Sequence, residues 1–273
     1  MTLVDIPQLR STVELYRIRR ALPEDTAQIY ELKSRAFGDN YLLYTIFQSP
    51  KSQRYLSELL AQDPERSAHC FFVLGQDDRI LGYYHAVRRH SEFFLNYIVA
   101  AQEVRGKGIG NALLEHYEET GRSAGCRQLV LDVFDSNGQV RDWYHRSGYR
   151  QHSSSIQARL SISSLPEQSS PVLRYEFEAR HRAAQEEYNH GFSKIDCACG
   201  SGRLVLGLIG DRVCKLLSYE GIELEEVVLA VARRFRTERA VLILSPSTEL
   251  PPTWPVLSLE KSLRLVKPIE PQA

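Results

Sequence analysis

The sequence predicts an α+β chain, a mixed α/β sheet with helices on both faces followed by a second and smaller α/β module. Three observations lead there. Apolar residues alternate between strand-like and helix-like spacing in the order β-α-(α)-β-β-β-α-β-α-β through the first half. Hairpins give antiparallel neighbours and crossovers give parallel ones, so a chain with both builds a mixed sheet. The 273 residues also exceed the ~150 of an ordinary domain, and the pattern breaks after Gln151.

Tyr16–Ala21 alternates like a strand, and Pro23 with two following acids starts a helix over about Asp25–Phe37. An aromatic stretch, Tyr41–Phe47, leads to Tyr55, Leu56, Leu59 and Leu60 at helical spacing. Cys70–Leu74 and Ile80–Val87 read as a hairpin around Gly75–Arg79, with Phe93–Ala100 as the next strand. Ile109, Ala112, Leu113 and Tyr117 mark a helix ending near Gly121 and Gly125. Leu129–Phe134 is an apolar strand, Asp135–Gly138 a turn, and Val140–Arg146 a short helix stopped by Gly148.

Ser153–Ser155 and Ser161–Pro171 have the composition of a linker. They divide a first domain, 13–160, from a C-terminal module, 172–273. In the latter, Tyr175–Tyr188 is a charged helix, and Arg203–Ile209 with Val213–Ser218 a hairpin turning at Gly210 and Asp211. Leu224, Val227, Val228, Val231 and Phe235 form a helical stripe, acidic at its start and basic at its end. Ala240–Ser245 and Ser262–Lys267 close the chain as strands.

Lys+Arg 34 against Asp+Glu 34 gives zero formal net charge, which removes the bulk attraction that a general nucleic-acid or anionic-membrane binder uses. The basic clusters Arg17, Arg19, Arg20 and Arg88–His90 read as solvated strand ends. Five scattered cysteines argue for a reducing compartment. No apolar run approaches the ~20 residues of a bilayer span, and the N-terminal residues lack a signal-peptide pattern. A cytoplasmic protein is the expectation.

The segment richest in chemistry runs from Phe93 to Tyr117, a strand, a glycine loop and a helix. Gly106, Gly108 and Gly110 let the backbone approach an anion at the positive end of the new helix, where a pyrophosphate fits. The frames of a Walker loop and of the dinucleotide fingerprint are both missed. Arg105–Gly110 does fit [Q/R]-x-x-G-x-[G/A], with Asn137 and Tyr144 on the next strand–helix unit.

This combination resembles the GNAT superfamily of acyl-CoA-dependent N-acyltransferases, over roughly Val13 to Gln151. The resemblance implies a mostly antiparallel sheet and acetyl-CoA as co-substrate. It implies that Arg105, Gly106, Lys107, Gly108, Ile109 and Gly110 hold the pyrophosphate, that Ile98, Val99 and Ala100 offer main-chain groups to the pantetheine arm, and that Asn137 contacts the cofactor. Tyr144 matches the tyrosine that protonates the leaving thiolate; its alternative is core packing beside Trp143. A phenol of pKa ~10 is a workable acid for a thiol near ~8.5. Asp132 stands where some members carry an acidic base, and a structural role is the alternative; Glu92 and His85 are further candidates. The partner expected is a small-molecule or peptide amine, with no nucleic acid, no membrane and possibly a second copy of the chain. A different acyl-CoA, or a regulatory protein that binds acyl-CoA without turnover, are the competing readings.

No metal is expected, since Cys197 and Cys199 lack a second ligand pair and His190 is the nearest histidine. Tyr41, Tyr44 and Phe47 lie where the superfamily builds its acceptor wall, as the resemblance implies; core packing is the alternative. In the second module, Ser218–Glu223 offers one glycine and two acids where a phosphate loop would stand. The module therefore reads as a degenerate GNAT-like unit that extends the sheet or forms a dimer surface.

Overall fold

A computed structural model of the chain describes residues 2–4, 16–37, 44–76, 78–162, 173–174, 177–210, 213–235 and 239–270. Tyr41, Tyr175, Asp211 and most of the Ser161–Pro171 stretch lie outside them. The first module contains β1 (Thr2–Val4), β2 (Tyr16–Arg20), α1 (Thr26–Ala36), α2 (Ser52–Leu60), β3 (His69–Gln76), β4 (Arg79–Arg89), β5 (Glu92–Ala100), α3 (Ile109–Ser123), β6 (Gln128–Phe134), α4 (Gly138–Arg146) and β7 (Arg150–Ser161). The second contains β8 (Leu173–Arg174), α5 (Phe177–His190), β9 (Phe192–Cys199), β10 (Gly202–Ile209), β11 (Val213–Glu220), α6 (Leu224–Phe235), β12 (Arg239–Leu244) and β13 (Val256–Pro268).

All described strands join one sheet in the order β1-β2-β3-β4-β5-β6-β13-β7-β12-β11-β10-β9-β8. Only β5/β6 and β11/β12 are parallel, because α3 and α6 cross over between them, as a parallel pair requires. The final strands of the two halves have changed places: β13 lies between β6 and β7, while β7 reaches β12. The second module thus extends the sheet of the first, and the chain's last strand is a central strand of it.

Helices cover both faces of the first half. Against one, α3 and α4 pack Ile109, Leu113, Tyr117 and Tyr144 over Leu95, Leu129 and Leu131. Against the other, α1 and α2 pack Ile29, Leu56 and Leu59 over Phe71, Val73 and Val99. A separate core of the second module buries Leu204, Leu206, Val227, Val231 and Leu242. The start of α1 is fixed by Asp25, whose Oδ2 accepts from the Leu22 N–H at 2.8 Å and from Arg19 Nη1 at 2.6 Å. No helix among the described residues is long and apolar enough to cross a membrane.

One sequence expectation needs correction. Ser153–Ser155 is not linker but part of the 12-residue β7, because β13 and β12 supply hydrogen-bonding partners on both its edges and tertiary pairing overrides weak strand propensity. Cys197 and Cys199 alternate with exposed Asp196 and Ala198 along β9 and point into the second core. Among the described residues no group of three or more His, Cys, Asp or Glu could hold a metal ion.

The two modules meet closely where α5 turns into β9. Gly191 has φ +76°, and a Cβ there would lie 1.9 Å from Ser49 Oγ and 2.5 Å from Ser49 Cβ. Gly191→Ala is therefore expected to destabilise the chain by about 1–3 kcal/mol from backbone strain and overpacking, with Ser49→Gly in the double mutant recovering the steric part. Thermal unfolding of the four proteins of that cycle checks this; an unchanged melting temperature for Gly191→Ala would show that the modules do not touch there.

Candidate active site

The site begins where two parallel strands part. β5 and β6 are in register from Glu92↔Gln128 to Leu95↔Leu131 and no further. Asn96 is the first β5 residue past the junction, and a bulge there shifts the register with β4 between His85 and Ala86. The bulge reverses the phase of the strand: Phe93 and Leu95 face α3, whereas Tyr97 and Val99 face α1 and α2. Ile98, Val99 and Ala100 stay paired with β4 through Tyr84, Tyr83 and Gly82, but no described strand lies along their other edge. Such an edge is a template for an extended amide chain.

The glycine loop closes the far end of this fork. Val104 and Ile109 are buried anchors, while Arg105, Gly106 and Lys107 between them are exposed. Gly106 has φ +75° and Gly108 φ +87°, left-handed values that side chains rarely adopt. A Cβ on Gly106 would meet nothing within 4 Å, so the space above the loop is open. The first bond of α3 is Ala112 N–H to Gly108 O at 3.0 Å, which leaves the N–H groups of residues 108–111 as the unpaired first turn of a 15-residue helix. Arg105 Nε is 3.5 Å from Ala100 O, tying the loop to the end of β5. Glycine backbone, helix terminus, Arg105 and Lys107 together suit a pyrophosphate.

Tyr144 sits on the α3 face of the fork, in one packed cluster with Ile98, Ala100 and Ile109. Its ring contacts Trp143 and Tyr149, with centroids 4.7 and 5.6 Å apart, and burial pushes its phenol above the ordinary tyrosine value. Trp143 is fixed in turn by Nε1 donating to Asn111 Oδ1 at 2.7 Å. Asn137 is the exposed residue that begins α4 at the end of β6, and its side chain makes no capping hydrogen bond.

Asp132 follows Leu131, the last β6 residue paired with β5, and therefore stands at the fork. It faces the side opposite Leu131 and Val133, away from Tyr144 and toward the α1 and α2 face. It is not the buried carboxylate that its apolar strand suggests: its side chain is 38% exposed, and Arg264 clamps both oxygens at 2.9 Å. Glu92 lies at the opposite, closed end of β5, held by Gln128 Nε2 at 2.8 Å. His85 has both ring nitrogens engaged, Nδ1 with Asn96 Nδ2 at 3.0 Å and Nε2 with His69 Nδ1 at 2.9 Å. Burial, with His69 and Lys33 nearby, pushes its pKa well down, so it is neutral.

On the α1 face a cavity of about 120 Å³ lies beside the fork, lined among others by Asn96, Tyr97, His69, His85, Phe47 and Lys33. Phe47 belongs to the expected acceptor wall, and Tyr44 instead joins a junction cluster with Ile209, Val213 and Val241. Sequence reading passed over Lys33, Asn96 and His69. The signal for Lys33 was its place four residues after Ile29, on the apolar stripe of α1.

The corresponding turn of the second module has no such cradle. Gly202 packs against it, and a Cβ there would come within 2.7 Å of both Glu220 O and Ile222 Cβ. The turn is filled from within, and its acids would repel a phosphate.

Residues 27–149 match the family model of the acetyltransferase (GNAT) family, and this module is a GNAT acetyltransferase domain. The whole chain has the fold of a tandem GNAT protein. It superposes on a tandem GNAT protein from the clavulanic acid biosynthesis pathway with a TM-score of 0.67 at 11% identity, covering 94% of this chain and 100% of that one. A GCN5-related N-acetyltransferase from Sphaerobacter thermophilus gives a TM-score of 0.62 at 15% identity, covering 94% and 97%. In sequence, 75 residues are 36% identical to an uncharacterized N-acetyltransferase of Methanocaldococcus jannaschii, covering 27% of this chain and 48% of that protein. The chain spans less than half the length of the curated relatives it matches.

Proposed function

We propose that the chain is an acetyl-CoA-dependent N-acetyltransferase that works by direct attack in a ternary complex, with the first module active. The observation that carries this reading is the coincidence of an open β5 edge with a left-handed glycine loop at its end. When bound, acetyl-CoA supplies the thioester. Arg105 to Gly110 hold its pyrophosphate, Ile98 to Ala100 pair with its amide arm, and Asn137 borders the mouth. An acceptor amine reaches the fork from the α1 face. Its nitrogen bonds to the acetyl carbon, the carbon–sulfur bond breaks, and the electron pair leaves with sulfur. Tyr144, on the opposite face, donates the proton that sulfur needs; burial raises a phenol and a thiol alike, so the transfer stays near balance. Asp132 is the carboxylate at the fork on the acceptor's side, and we assign it the amine's proton, with Arg264 holding it in place. The second module supports the sheet and binds no second cofactor.

Calorimetry with acetyl-CoA, and thiol release across a panel of amines, test the reading. Absence of acetyl-CoA binding would overturn it, and binding without transfer to any amine would mark a sensor. Gly108→Glu is expected to weaken acetyl-CoA binding by at least about 100-fold, since a carboxylate facing the pyrophosphate costs several kcal/mol. Gly108→Asn, which tolerates φ +87° and adds no charge, should keep most of the affinity. Equal affinities for wild type and the Glu variant would refute the loop's role.

A further inference from the structure

The cavity beside the fork contains a buried lysine with no acidic partner among the described residues. Lys33 is 1% exposed, and its Nζ has no hydrogen-bond partner among the described residues. It stands 3.1 Å from the centre of the Phe47 ring and 3.0 Å from that of Tyr97. None of the residues lining the cavity is acidic; the titratable groups facing Lys33 are Tyr55, His69, Tyr83, His85 and Tyr97. A lone ammonium in such surroundings is costly, and burial holds the lysine's pKa well below its usual value.

From this geometry we infer that the acceptor carries a carboxylate close to its amine, so that the cavity takes a compact amino acid and not a polyamine or an aminoglycoside. Three features support this, given the acetyltransferase reading. Lys33 is a single amine with no acidic partner among the described residues, and a monoanion entering the cavity would hold it protonated and match its one charge. The two rings that would cradle an ammonium ligand already hold the protein's own. Asn96, at the fork, and His69 add polar edges to a wall made mostly of aromatic rings and aliphatic groups, which suits an amino acid with an apolar side chain. A polycationic acceptor would find repulsion from Lys33 and, at the fork, only Asp132, whose charge Arg264 already balances.

The test compares acids with their neutral or decarboxylated counterparts. Calorimetry on the full chain would measure N-acetyl-L-alanine and N-acetyl-L-phenylalanine against the corresponding amides. At least one acid should bind at least about tenfold more tightly than its amide, the range for a hydrogen bond to a charged group. Lys33→Met should reduce that ratio to near one while melting at or above the wild-type temperature, because it removes an unpaired buried amine. Thiol release should favour L-alanine or L-phenylalanine over ethylamine, phenethylamine and spermidine. Equal binding of acid and amide, no binding of either acid, an undiminished ratio in Lys33→Met, or turnover of spermidine alone would each overturn the inference. Failure to bind acetyl-CoA would overturn the enzymatic reading instead, and would leave a Lys33-dependent acid preference standing on its own.

Discussion

Tyr144→Phe is expected to lower kcat by about 100-fold or more while leaving acetyl-CoA affinity and thermal stability close to those of wild type. The ring is what packs: it touches Trp143 and Tyr149 inside the α3 core, and phenylalanine keeps that contact. The hydroxyl has no hydrogen-bond partner among the described residues, so its removal leaves no orphaned group behind. On the proposed mechanism, what disappears is the proton donor beside the edge of β5, and without it the sulfur must leave as an anion. Single-turnover kinetics, which isolate transfer from product release, give the measurement. Unchanged kcat in the variant would return Tyr144 to a packing role.

Removing the last strand is expected to have a larger effect on stability than any point substitution. A chain ending at Pro255 lacks β13, which pairs with β6 from Ser262↔Phe134 to Pro268↔Gln128 and with β7 along most of its length. Leu263 and Leu265 are both buried, each contributing about 1.5–3 kcal/mol by area, and Lys267 Nζ bonds Glu118 Oε2 of α3 at 2.6 Å. Against a typical stability of about 5–15 kcal/mol, losing these and the ladder should abolish cooperative unfolding. The exposed edges of β6 and β7 should also drive aggregation. Adding the 256–270 peptide during refolding should restore a cooperative transition. Leu265→Ala in the full chain, at about 2–5 kcal/mol, provides a graded version. A truncated chain that melts like wild type would show that the exchanged strand contributes little.

The elements around the glycine loop were legible because their signals are local. The β3–β4 hairpin, β5, α3 and α4 each follow from apolar spacing and from glycines that end or begin them, and the observed elements fall where that spacing places them. β7 and β9 were missed for different reasons. Three serines carry no strand signal of their own, and β7 exists because two other strands flank it. The alternation of β9 was present in the sequence, but Ser193, Lys194 and Asp196 dilute its strand signal. Asp132 looked buried because its neighbours in sequence are apolar; a strand shows alternate residues to opposite faces, and Arg264, 132 positions later, occupies its carboxylate.

By itself the sequence determined the class of the first module and pointed to the proposed anion-binding loop and candidate acid, since each depends on residues within one turn or one strand of each other. Only the tertiary structure decided the rest. That the chain's last strand lies at the centre of the sheet, that β5 and β6 part at Leu95 and Leu131, and that Lys33 shares a cavity with Asn96 and His85 are all consequences of contacts between distant segments. Those contacts are selected by burial and ladder pairing, which no local pattern records.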